Sequence, residues 1–121
     1  MIERTRYVDN CIGKVGAITV VYDKGHFGIG VSICRTDLDR FVKSTGKNLS
    51  RERAIANLKE SKILLKDLRS VNGLNISLTA LGVKMPTMTR GDLWVFEYTL
   101  TKLVNDMIYT LALTKVKDET V

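Results

Sequence analysis

The sequence holds few side chains suited to nucleophilic or metal chemistry: one histidine, His26, and two cysteines, Cys11 and Cys34. His26 lies in Asp23-Lys24-Gly25-His26, between two apolar runs, and reads as an exposed turn residue. One imidazole and two distant thiols lack the spacing of a zinc site. No G-x-S-x-G elbow and no G-x-x-x-x-G-K-[ST] phosphate loop occurs. Gly25, Gly28 and Gly30 fall within a hairpin rather than between a strand and a helix, so they make no dinucleotide fingerprint. Asp37 and Asp39 stand two apart at a predicted helix start, where capping accounts for them. The expectation is a protein that is not an enzyme, with no cofactor and no metal.

Cations are the more informative group. Between Arg35 and Arg69 there are ten Lys/Arg against five Asp/Glu; the rest of the chain has nine against eight. That middle stretch therefore carries +5 of the net +6. Arg35, Arg40, Arg51 and Arg53 cluster there, and Lys59, Lys62, Lys66 and Arg69 are spaced to share one helix face. Ser50 reads as a helix N-cap, which puts Arg51 and Arg53 in a first turn where cations oppose the helix dipole. An anion held at that turn would gain from the free N–H groups and the arginines together. A second resource lies near Arg90, where Trp94, Phe96 and Tyr98 follow closely. Phe96 reads as core. An exposed Trp94 beside Arg90 can stack on a base while the arginine meets a phosphate.

These residues depend on the elements that carry them. Val15–Tyr22 is rich in β-branched residues and reads as a strand. Phe27, Ile29, Val31 and Ile33 then alternate with Gly28, Gly30, Ser32 and Cys34, a second strand with one apolar face. The small residues on its other face leave room for a helix or another subunit to pack closely. Thr36 starts a helix ending near Gly46, and Ser50 starts another running to about Ser70, with Asn72-Gly73 as its stop. Asn75–Leu81 reads weakly as a strand, and Val83–Gly91 as a loop. Asp92 caps a long helix from about Leu93 to Leu113. A strand over Leu93–Thr101 is the competing reading, because that stretch is rich in β-branched and aromatic residues. The helix is apolar over a wide arc, which suits burial or a subunit interface.

The whole is a single α+β domain, 1–121: an N-terminal antiparallel β-hairpin or sheet packed with two central helices and a long C-terminal helix. Its 121 residues allow a sizeable core, and 45% hydrophobic and 26% charged residues are those of a globular chain. The net charge of +6 favours anionic partners. Neither an apolar signal core in MIERTRYVDN nor a run of ~20 apolar residues is present, so a cytoplasmic location without membrane contact is expected. The cysteines read as free buried thiols in a reducing compartment.

The stretch Gly30-Val31-Ser32-Ile33-Cys34, then Asp37 or Asp39, Phe41-Val42-Lys43, Gly46 and Arg53-Ala54, resembles a pattern in small phage-encoded proteins of the Thoeris anti-defence sponge type. The likeness covers roughly Val15–Leu58, under half of the chain. It implies a compact α+β oligomer that binds and sequesters cyclic ADP-ribose-type signals or cyclic oligonucleotides in the host cytoplasm. In the C-terminal helix the sequence departs from that family's binding residues: it has Lys102 and Asn105 there, and no arginine follows Arg90. The expected ligand-binding set is thus Arg35, Arg40, Arg51, Arg53, Arg90, Trp94, Lys102 and Asn105, with a nucleotide-like anion as ligand and a homo-oligomer as assembly. The alternative is a small basic protein that binds nucleic acid or inhibits a host protein.

Overall fold

A computed structural model describes residues 1–10, 13–33, 43–68 and 75–119. Three strands, β1 (Ile2–Asn10), β2 (Gly13–Asp23) and β3 (His26–Ile33), form an antiparallel sheet in the order β1-β2-β3. Among the described residues two helices follow, α1 (Lys43–Ser61) and α2 (Arg90–Glu119), with a 3-10 turn at Leu65–Leu68 between them. The class is α+β, as expected. No helix among the described residues is long and apolar enough to cross a membrane.

The hairpin forms as its sequence predicts. Lys24 and Gly25 take φ of 49° and 84°, the two positive values a tight two-residue turn needs to match the strand twist. The register pairs Ile18 with Val31 and Val20 with Ile29. This stacks the apolar residues on one face, where Phe96, Leu100, Leu103, Val104 and Met107 of α2 complete the core at 2% exposure or less. The strand β1 is an addition to the expected hairpin. Its charges at Glu3, Arg4, Arg6 and Asp9 hide the alternation, because an edge strand can hold long charged side chains along its solvated margin.

On the other face the sheet presents Gly28, Gly30, Ser32 and Thr19, and α1 lies directly on it. A Cβ placed on Gly30 would stand 2.0 Å from the Ser50 carbonyl oxygen and 2.3 Å from the Ala54 nitrogen. One on Gly28 would stand 2.3 Å from the Ala54 oxygen. Helix backbone therefore rests on strand backbone, with only small groups between them. The matching stripe on α1 is Gly46, Ser50, Ala54 and Asn57, at steps of four, four and three.

That stripe corrects the two-helix reading of the middle. Gly46 does not end a helix, and Ser50 does not start one. Both lie inside α1, where the close approach to β3 demands small residues. Gly46 accepts a hydrogen bond from Ser32 Oγ at 2.8 Å. Ser50 is fully buried and donates to the Lys47 carbonyl at 3.0 Å. Its single proton being spent there, it accepts from Thr19 Oγ1 at 2.7 Å, and Thr19 accepts from Thr5 at 2.8 Å. A hydroxyl relay thus threads from β1 to α1. The expected helix start at Thr36 lies outside the described residues.

The helix also ends early, at Ser61 rather than near Ser70. Lys62 adopts φ of 46°, the left-handed cap usually filled by glycine. The chain then turns back so that Ile63 can pair with Phe27 at 2.7 and 3.2 Å along the outer edge of β3. Asn75–Leu81 forms no strand. Its N–H groups are met by α2 instead: Ile76 donates to Thr101 Oγ1 at 3.0 Å and Leu78 to Glu97 Oε2 at 2.9 Å. The helix reading of Leu93–Thr101 holds, and the strand reading does not. The cap of α2 is Thr89, whose Oγ1 accepts from the Asp92 N–H at 3.1 Å; Asp92 sits three residues inside.

The contact between Gly30 and α1 sets a test. Gly30→Ala should cost about 3 kcal/mol or more, since its methyl would meet helix backbone rather than a yielding side chain. Denaturant unfolding measures it; a loss below ~1 kcal/mol would mean that α1 does not seat this closely.

Candidate functional site

The expected binding residues divide between two surfaces. Thr19 and Ser50 meet on one side of the sheet; Arg6, pointing the other way from β1, pairs with Asp106 of α2. Helices α1 and α2 thus lie on opposite faces, and the residues of α1 and α2 form no common site within one chain. Arg35 and Arg40 lie outside the described residues.

Arg51 and Arg53 stand in the middle of α1, away from any helix N-terminus. The anion site expected at a Ser50 cap is therefore absent. Two residues apart, they point about 200° apart around the helix. Arg51 reaches across to β1, where its Nε donates to Glu3 Oε2 at 2.6 Å. Arg53 turns towards β3, and its Nη1 donates to the Val31 carbonyl at 2.6 Å. Asn57 assists there: its Oδ1 accepts from the Ile29 N–H at 2.9 Å and its Nδ2 donates to Ser61 Oγ at 3.1 Å. With the Ile63–Phe27 pair, these groups bond the Phe27 N–H and carbonyl, the Ile29 N–H and the Val31 carbonyl along the outer edge of β3. The Lys59, Lys62, Lys66 and Arg69 stripe is not a helix face, because α1 stops before Lys62.

Beside Arg53 the surface hollows. A groove of about 360 Å³ opens between α1 and the loop at Lys84, Met85 and Pro86, floored by Ile29. Arg53 and Asn57 line its inner wall, and Ala56 and Glu60 its helix side. Lys84 Nζ stands 3.6 Å from Glu60 Oε2, with both side chains largely solvated. Two cations and one carboxylate thus meet apolar walls. A neighbouring hollow of about 330 Å³, at Ser61, Ile63, Asp67, Ala80 and Leu81, has no cation in its lining. Neither Lys84 nor Asn57 carries a local signal in the sequence that would mark it as a groove residue.

The second surface is the back of α2. Trp94 is 58% exposed, and its indole stacks on Tyr98 with centroids 5.4 Å apart and planes 6° from parallel. Lys102 Nζ lies 4.6 Å from the Tyr98 ring centre, a cation–π contact. Arg90, Asn105 and Tyr109 are exposed on the same helix. Phe96 is buried, as expected. Four of the expected residues, Arg90, Trp94, Lys102 and Asn105, are therefore brought together here. Tyr98 and Tyr109 join them by helical spacing.

Among the described residues no group of three or more His, Cys, Asp or Glu is placed to hold a metal. No buried side-chain nitrogen or oxygen among them lacks a hydrogen-bond partner. The chain matches no protein-family model, no curated protein and no solved structure.

The two arginines of α1 should respond differently to removal. Arg51→Met breaks a solvated ion pair and should cost under ~1 kcal/mol. Arg53→Met strips a charged donor from a strand-edge carbonyl and should cost about 1–3 kcal/mol. Equal losses in thermal unfolding would contradict the edge-capping role of Arg53.

Proposed function

We propose that this protein is a non-enzymatic binder that takes up a small nucleotide-like anion in the groove beside Arg53 and holds it unchanged. The observation that carries this reading is the placement of Arg53. Its bond to the Val31 carbonyl fixes the guanidinium at the groove wall before any ligand arrives. A pre-oriented cation loses little conformational freedom on binding. Small ligands bind in concave sites of roughly 300–1,000 Å³, and the groove falls in that range. Lys84 is free to swing from Glu60 to a phosphate, since an exposed pair of this kind holds weakly. Ile29, Met85 and Pro86 offer apolar surface to a base or ribose.

Capture without conversion is the role of a sponge, and the likeness of Gly30–Ala54 to phage anti-defence proteins supplies its setting. In that setting the ligand is a cyclic nucleotide signal in the host cytoplasm, and a homo-oligomer closes the groove. A free energy of about −12 kcal/mol corresponds to nanomolar affinity. A few charge-assisted hydrogen bonds and a covered groove can supply it.

Titration calorimetry with cyclic ADP-ribose and with a cyclic dinucleotide is the test. Lys84→Gln should weaken binding roughly tenfold. Glu60→Gln should tighten it several-fold by removing a like charge from the anion. Ligand released on denaturation should have its original mass. A hydrolysed product, or a Lys84→Gln protein that binds as well as the parent, defeats the reading.

A further inference from the structure

The back of α2 asks for a different occupant. Helical geometry places Arg90, Trp94, Tyr98, Lys102, Asn105 and Tyr109 within about 120° of arc, centred opposite the core stripe of Phe96, Leu100, Leu103 and Met107. Between Arg90 and Tyr109 no Asp or Glu falls within that arc. The carboxylates that border it are committed within the chain: Glu97 accepts from the Leu78 N–H, and Asp106 pairs with Arg6. The arc thus shows two cations and three aromatic rings, Trp94, Tyr98 and Tyr109, at 58%, 41% and 68% exposure. Its surface is convex and, from Trp94 to Tyr109, about 22 Å long at ~1.5 Å per residue.

We infer that this face docks single-stranded nucleic acid. The charge is complementary, since cations without neighbouring acids attract a phosphate backbone. Rings suit bases whatever their sequence, because every base has a π face to stack. The shape decides between a polymer and a free nucleotide. A convex ridge encloses no small molecule, whereas an extended strand can lie along it and gather several weak contacts. An acidic peptide would satisfy Arg90 and Lys102 but leave the open face of the Trp94 indole and the exposed Tyr109 ring without a stacking partner, Tyr98 being already held between Trp94 and Lys102. This surface, on the back of α2, shares no residue with the groove beside Arg53 at the edge of β3, so the inference stands independently of the nucleotide reading.

Trp94 is the single tryptophan of the chain, so its native fluorescence reports on this face alone. Oligo-dT and oligo-rU of about twelve nucleotides, titrated at rising salt, should quench that fluorescence and raise the anisotropy of a labelled strand. Affinity should fall as salt rises. Trp94→Ala should weaken binding roughly tenfold or more. Arg90→Gln and Lys102→Gln should each flatten the log–log salt slope by about 0.7. All three positions are solvent-facing, and circular dichroism checks that the variants keep the parent fold. Lys84→Gln, in the groove, should leave strand binding unchanged. The inference is overturned if neither strand binds at low salt, if Trp94→Ala binds as well as the parent, or if poly-glutamate competes as strongly as oligo-dT. The last result would assign the face to an acidic protein.

Discussion

The architecture depends on one contact: the backbone of α1 resting on the backbone of β3 at Gly28 and Gly30. Side chains normally hold a helix about 10 Å from a sheet, as they do between packed sheets. Here their absence lets the helix sink until its peptide groups meet the strand. Each interior glycine costs about 0.5–1 kcal/mol relative to alanine. That cost is offset by full burial of Ala54 and by a polar seam of Ser32, Thr19, Ser50 and Asn57 with every bond made. The seam also fixes register. A helix that slid by one turn would part Ser50 from Thr19 and Asn57 from the Ile29 N–H, leaving buried donors unmet.

From this contact the distribution of chemistry follows. With α1 seated tightly over β3, its side chains reach the strand edge and bond to it: Arg53 and Asn57 there, Ile63 just beyond. The next stretch of chain that returns past the edge, at Lys84–Pro86, leaves a hollow against the helix rather than a filled layer. The other face of the sheet carries the large side chains and takes α2 by conventional apolar packing. Only one side of that long helix is consumed, and its outer side stays available to rings and cations.

Legibility in the sequence tracked the reach of the signals. The β2–β3 hairpin, its Lys24-Gly25 turn and the demand for a close neighbour on the glycine face are local and period-two, and they were readable. So was α2, with the burial of Phe96; the exposure of Trp94 was not, because an indole suits core and surface alike. The middle was misread because Gly46 and Ser50 are also the residues that punctuate helices, and nothing local separates a small packing stripe from a stop and a cap. The end of α1 was hidden because Lys62 takes a left-handed conformation without being glycine. The division of the binding residues between two faces was invisible for another reason. Periodicity says which residues share a helix side, but not which side of a sheet the helix will cover.

The strand β1 has a consequence for behaviour at high concentration. It is an outer strand of the sheet, and an outer strand can template a copy of itself. Two β1 strands meeting antiparallel in one continuous sheet must be centred on a residue for facing side chains to share a side. Centred on Arg4 or Arg6, that arginine opposes its own image; centred on Thr5, Arg4 opposes Arg6. Like charges directly opposite one another disfavour the ladder. The alternation of arginines that conceals β1 as a strand thus also disfavours those registers of edge-to-edge pairing between two copies.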